Sequence, residues 1–421
     1  MIRSRLRGFA NISTIISEGR DKMIKPEKIT YIDGEPSNGI KINWPRVVKY
    51  YKKVVTVKGY HNPLTVEPWT ASYYLDLSDR SRGKTTNKLI VGLILFAMYG
   101  ITTVYMRNRY DDLEPRNVST LYDVIIDCQY LTKIFGDGSY NNMEYRSFKW
   151  YLTKTDEEGN VLAKSPDFCT FLMSTDRAMR YKSRLVLPKG DFIIYDEFID
   201  PDYPPNTMEL FQQNLKTVIR GRKSAVIMMS ANTIDINSPW FYDFGIRREV
   251  LGMQQGDTKM IDKNGSVFIV EILAPDQSEQ KKQYNKKYLG FAIGKKLQSI
   301  SGESTWELRN FPHINKNWVM VRSFARNIYV QHLGDLLNFE VCEIEELGVI
   351  ALCRPATRTY PDSIIYTCGE IRDTRFIYRC GDRNAPAGII WRLYQQNKIF
   401  YANNQCGELL TNYIKTAQKL I

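Results

Sequence analysis

Ser78-Asp79-Arg80-Ser81-Arg82-Gly83-Lys84-Thr85-Thr86 is the stretch on which the reading of this 421-residue chain turns. Ala71 to Leu77 before it reads as a buried strand, Lys84 to about Tyr99 after it as a helix, and 101 to 106 as a second strand. A loop between a strand and a helix faces the free N–H groups and the positive end of the helix, where an anion is held. Gly83 lets the backbone approach phosphate oxygens, Lys84 reaches the β- and γ-phosphates, and Thr85 offers a hydroxyl to Mg²⁺. Ser78 stands where the pattern G-x-x-x-x-G-K-[ST] has its first glycine, and a basic turn is the alternative reading.

Farther along, Phe192-Ile193-Ile194-Tyr195-Asp196-Glu197 is an apolar strand that ends in two carboxylates. Bare carboxylates at a buried strand tip are costly unless a cation shares the site. Asp196 is therefore read as a Mg²⁺ ligand through water and Glu197 as the base that orients a water. A strand exit into a solvated acidic turn is the alternative. Val226-Ile227-Met228-Met229-Ser230-Ala231-Asn232 is another buried strand with a polar end, and Ser230 and Asn232 become candidates for sensing a terminal phosphate or holding a water. Between these strands, Thr207 to Arg222 reads as a helix. Its basic end, Arg220-Gly221-Arg222-Lys223, is either simple helix capping or an arginine finger. Arg177, Arg180 and Lys182 form a second basic cluster, either a solvated face or groups acting on another subunit or on DNA.

Composition sets the outer limits. The chain is 43% hydrophobic and 25% charged, a folding composition, and its length suits two or three domains. A net charge of +12 favours a polyanionic partner. Seven scattered cysteines without C-x-x-C spacing, and three histidines, argue against a zinc or disulfide framework. No signal peptide is expected after Arg3, Arg5 and Arg7. The uncharged run Leu89 to Met106 approaches membrane length, but Gly100 divides it into a buried helix and a buried strand.

The expected organisation has four parts. Residues 1–65 form a basic extension with a short helix near 45–53, where Arg46, Lys49, Lys52 and Lys53 cluster on a solvated or phosphate-contacting face. Residues 66–250 form an α/β domain with a mostly parallel sheet, interrupted by a hairpin around Asp156 to Asn160. Residues 251–312, rich in lysine between 281 and 296, read as a linker or small subdomain. Residues 313–421 read as an α+β domain, with strands near 318–322, 328–332, 349–353, 363–368 and 374–378 and a last helix from about Gly407.

Three segments resemble the DNA encapsidation ATPases of phi-29-type phages, relatives of terminase large subunits. These are Ile193 to Ile199, Asn214 to Lys223 leading into Met229 to Asn232, and Thr103 to Tyr110. The resemblance runs from about residue 70 to the C-terminus. It implies an ASCE-type P-loop NTPase domain with a smaller ribonuclease H-like, vestigial nuclease domain behind it. It further implies ATP and Mg²⁺ as cofactors, and a homomeric ring of five subunits, a pentamer, driving double-stranded DNA into a procapsid. Docking on the portal or on a packaging RNA, in the host cytoplasm and away from membranes, belongs to the same expectation. Arg220 matches the family's trans-acting arginine, and Lys182, followed by Ser183, is similar to a second trans-acting lysine. Asp335, Glu340 and Asp362 lie near strand ends without forming an evident metal set, which favours an inactive nuclease domain. Rival readings are a terminase with a working nuclease, and a nucleic-acid-binding P-loop protein that does not hydrolyse ATP.

Overall fold

A computed structural model describes residues 31–32, 35–36, 41–56, 60–78, 82–136, 138–178, 187, 189–199, 206–220, 222, 225–232, 238–274, 311–369, 371–378 and 386–419. The chain divides into two compact units, Met1–Ile234 with Arg248–Ser304, and Asp235–Arg247 with Thr305–Ile421.

In the first unit, helix α1 (Trp44–Val54) is followed by β1 (Tyr73–Leu77), α2 (Lys84–Tyr99) and β2 (Thr103–Arg107). Short helical turns then lead to β3 (Asn142–Arg146), β4 (Lys149–Thr155), β5 (Val161–Lys164) and β6 (Thr170–Ser174). The acidic strand is β7 (Phe192–Asp196). After it come α3 (Thr207–Ile219), β8 (Val226–Ala231), β9 (Thr258–Lys263) and β10 (Ser266–Ile272). Among the described residues the strand order is β9-β10-β1-β8-β7-β2-β6-β4-β3, with β5 on β4. From β10 to β6 every neighbouring pair is parallel, whereas β9, β3, β4 and β5 attach antiparallel. The sheet is thus parallel at its centre and antiparallel at both margins. The central strands are buried and largely apolar, as expected of parallel strands covered on their faces.

α2 is buried on nearly all sides, which is why its sequence lacks an amphipathic pattern. It ends at Gly100, whose φ of +67° closes the helix, and β2 follows at once. The uncharged run is therefore a helix and a strand, and no helix among the described residues is long and apolar enough to cross a membrane. α2 lies close to β2: a Cβ on Gly92 would stand 2.1 Å from Thr103 Oγ1, so only glycine fits there.

Two expected boundaries move. Residues 258–272, expected within a linker or small subdomain, supply β9 and β10 of the main sheet, because Val267 to Ile272 carries the apolar side chains that pair with β1. Likewise α1 is more than an appended basic arm, since Trp44, Val47, Tyr51 and Val54 enter the core. Lys49, Lys52 and Lys53 stay on its exposed face. The hairpin expected around Asp156 is present as β4–β5. The lysine-rich segment 281–296 lies outside the described residues.

The second unit contains β11 (Met320–His332), β12 (Asp335–Ile344), β13 (Gly348–Ala356), β14 (Ile364–Thr367), β15 (Phe376–Tyr378), α4 (Pro386–Gln395), β16 (Ile399–Tyr401) and α5 (Asn404–Lys419). Its sheet runs β15-β14-β11-β12-β13-β16 among the described residues. β11, β12 and β13 form an antiparallel meander, β14 and β15 extend it in parallel on one side, and β16 adds in parallel on the other. β12, β16 and α4 were not expected from the sequence. β12 alternates poorly because both of its faces are largely covered.

Candidate nucleotide site

The central strands bring their C-terminal tips to one edge of the sheet, where ligands of open α/β sheets bind. β1 ends at Leu77 and Ser78, β8 at Ala231 and Asn232, β7 at Asp196 and Glu197, and β2 at Arg107 and Asn108. One strand, β8, separates the lysine-bearing strand from the acidic strand.

Gly83 caps α2 with a φ of +68°, and a Cβ there would meet the Tyr60 ring at 2.6 Å. The next residue, Lys84, is buried and donates to Ser78 Oγ (2.6 Å), to the carbonyls of Ser78 (3.2 Å) and Ala231 (3.1 Å), and to Asn232 Oδ1 (3.0 Å). Serine in place of the expected first glycine thus has a use: its hydroxyl accepts from the lysine. Thr85 Oγ1 donates to Asp196 Oδ1 at 2.9 Å, which joins the loop and the acidic strand directly. Thr86 occupies the same first turn of α2, and Arg82 passes its carbonyl to the His61 amide at 3.0 Å. Asp79, Arg80 and Ser81 lie outside the described residues.

Asp196 Oδ2 also accepts from Tyr105 Oη (2.8 Å) and from Arg107 (3.2 Å). The same guanidinium donates to Glu197 Oε2 at 2.6 Å, so Arg107 forks across both carboxylates. Burial and then the Asp196 charge push the Tyr105 phenol well above its usual range, which keeps it a donor. Burial works against the Arg107 charge, but Tyr105, Asp196 and Glu197 raise its pKa on balance. Glu197 Oε1 accepts from Asn232 Nδ2 at 2.9 Å. Its backbone has a φ of +52°, a strained conformation for a non-glycine residue, held by Asn108 Nδ2 donating to the Glu197 carbonyl at 2.9 Å.

Lys84, Thr85, Asp196, Glu197 and Asn232 therefore meet in one hydrogen-bonded cluster. Ser230 lies deeper along the same face of the sheet. It is buried, and its hydroxyl accepts from Lys88, so it is not a surface sensor in this structure. Arg220 is exposed at the C-terminal end of α3 with a φ of +48°, its Nε 3.4 Å from the Thr217 carbonyl. Arg222, two residues on, is buried against Asp191 (2.7 Å) and the carbonyls of Leu187 and Val218. Lys182, Ser183 and Arg180 lie outside the described residues.

Sequence reasoning gave no role to Tyr105, Arg107, Asp76 or Lys88. A lysine four residues beyond Lys84, just before an apolar run, and an aspartate inside an apolar strand were the available signals. In the second unit, Asp335 pairs with Arg247, and Glu340 is held between Arg326 (3.0 Å) and Arg354 (2.9 Å). Among the described residues no group of three or more His, Cys, Asp or Glu is placed to hold a metal.

No protein-family model matches the chain, and no curated protein matches it. Solved structures do share its fold. "The bacteriophage Phi-29 viral genome packaging motor assembly" is similar over 86% of this chain and 100% of its own, at 14% identity and a TM-score of 0.56. "The Phi-28 gp11 DNA packaging Motor" is similar over 87% of this chain and 99% of its own, at 13% identity and a TM-score of 0.54. Through both units, then, the chain has the fold of phage DNA packaging motors.

Proposed function

We propose that this chain is an ATP-driven motor that moves double-stranded DNA into a phage procapsid. The observation that carries the reading is the junction of Thr85 with Asp196 at 2.9 Å, with Lys84 and Glu197 joined through Asn232 beside it. A lysine-bearing loop at a helix N-terminus and an acidic strand tip, separated by one strand, support an ASCE-type P-loop NTPase. The likeness to packaging motors over almost the whole chain supports the same conclusion.

In this reading Gly83, Lys84 and the first amides of α2 cradle the phosphates of ATP, together with Ser78, Asp79, Arg80, Ser81, Arg82 and Thr86. The hard oxygen donors of Thr85 and Asp196 suit Mg²⁺, which when bound neutralises charge on the β- and γ-phosphates. Glu197 accepts a proton from the attacking water, and Asn232 orients both that carboxylate and the Lys84 ammonium. Arg107, which holds both carboxylates, would share Asp196 with a bound cation. Exposed Arg220 is assigned to the neighbouring subunit's ATP in a homomeric ring, taken as a pentamer, and Lys182 is a second candidate for action in trans.

The second unit is read as a ribonuclease H-like module that docks on the portal or a packaging RNA. Its antiparallel meander extended by parallel strands fits that fold, and arginines neutralise Asp335 and Glu340, which favours a docking role over nuclease chemistry. The motor acts in the host cytoplasm on the procapsid. Glu197→Gln is the test: ATP binding is retained, and turnover falls by at least ~100-fold. Undiminished turnover removes Glu197 from its role. Mixed Arg220→Ala and Lys84→Ala subunits regain partial activity if the finger acts in trans, and none if it does not.

A further inference from the structure

Below the nucleotide-facing tips lies a second layer of charge that the proposed reaction does not use. Glu271, Asp76 and Ser230 stand in register across β10, β1 and β8, in the row that ends at Asp196 of the site on β7. Lys88, one turn beyond Lys84 on α2, is 0% exposed. Its ammonium lies 2.6 Å from Asp76 Oδ2, also 0% exposed, and donates to Ser230 Oγ. Its Nζ is 5.4 Å from the centre of the Tyr74 ring. On the far side His61 bonds the Tyr74 hydroxyl at 2.7 Å, and Tyr74 donates to Glu271 at 2.5 Å. Burial works to raise the Asp76 pKa, but Lys88, His61 and Lys84 hold it below the usual carboxylate value, so the pair is ionic.

A fully desolvated ion pair adds little stability over apolar side chains of the same volume. What this one fixes is position. Lysines four apart lie on one face of a helix, and residues two apart in a strand lie on one face of a sheet. α2 thus holds β8 at two rungs, Lys88 on Ser230 and Lys84 on Asn232. The upper rung carries the amide that contacts Glu197.

We propose that Lys88 and Asp76 are positioning residues: their rung on Ser230 fixes the height of the β8 tip and so aims Asn232 at Glu197. The inference rests on the reading of the site as an ATPase. It separates two roles that the sequence groups together, with Asn232 touching the reacting groups and Ser230 acting through it.

The test uses the full chain in three forms. Ser230→Ala removes the rung and keeps the ion pair, Ser230→Thr keeps a hydroxyl, and Asp76→Leu/Lys88→Met removes both charges together, leaving no unpaired ion to unfold the unit. Expected are MgATP affinities within about 3-fold of the parent and a kcat at least ~10-fold lower for Ser230→Ala and the double variant. Ser230→Thr regains most of the loss. Crystal structures of the Ala and double variants should show the Asn232–Glu197 hydrogen bond broken. Unchanged kcat with that bond intact overturns the proposal, as does an equal loss in Ser230→Thr. If the parent protein turns over no ATP yet the bond breaks in the variants, the positioning role stands and the ATPase reading fails. If the bond persists, the positioning role fails whatever the turnover.

Discussion

Arg107→Met removes a guanidinium that spans both acids while keeping most of the side-chain stem. In the structure that group lies 3.2 Å from Asp196 and 2.6 Å from Glu197. The Asp196 side chain is 9% exposed and that of Glu197 is 40% exposed, so an effective dielectric between ~40 and 80 is appropriate. At about 3 Å this gives roughly 1.5–3 kcal/mol per pair before competing hydration. A cation held by Asp196 would have to overcome part of that attraction. Its removal should shift the Mg²⁺ midpoint for nucleotide binding to about 10-fold lower concentration. Thr85 and Tyr105 still bond Asp196, so the fold loses only about 1–2 kcal/mol. Mg²⁺ titrations of fluorescent-nucleotide binding, at fixed nucleotide and ionic strength, read the shift. A midpoint that stays put or moves upward would refute the competition between Arg107 and the cation.

Other consequences are as specific. Gly92→Ala should destabilise the first unit by about 1–3 kcal/mol, since the new methyl meets Thr103 Oγ1, and Thr103→Ala in the same chain should recover much of it on thermal melting. Arg222→Met takes the guanidinium away from the buried Asp191 carboxylate and should cost about 3–5 kcal/mol, whereas Asp191→Leu/Arg222→Met should melt closer to the parent protein. Burial pushes His332 down to about 4. Between pH 6.5 and 4 the unfolded chain therefore binds a proton that the folded one refuses. Stability should fall as pH drops through that window, by about 3 kcal/mol for this group, and level off below it. His332→Gln should remove that part of the slope in pH-dependent melts of the second unit. DNA-stimulated turnover should weaken steeply with salt, because contacts that tolerate any sequence fall on phosphates; salt-insensitive stimulation argues against such contacts.

The local signals were those that chain neighbours settle among themselves. Gly83 followed by Lys84 and Thr85, the apolar run into Asp196 and Glu197, and the break at Gly100 each carry their meaning within a few residues. The structure realises them as α2, β7 and the start of β2. Elements fixed by distant partners were harder to read. β9 and β10 look like part of a linker until β1 is present to pair with β10, and β12 lacks a clear alternation because both of its faces are covered.

Within the site, sequence alone determined which residues have the chemistry: an ammonium, a hydroxyl beside it, two carboxylates at a strand tip, and an amide after a third strand. Only the tertiary structure decided how deep each one lies and which partner it meets. Ser230 and Asn232 are equivalent as letters, yet the first lies buried under Lys88 while Lys84 and Glu197 share the second. Arg107 is an ordinary basic residue in the sequence and becomes the partner of both acids because β2 lies beside β7. The physical reason is range: loop and helix-end chemistry is set by adjacent backbone, whereas the pairing of charges depends on strand order, which no local stretch encodes.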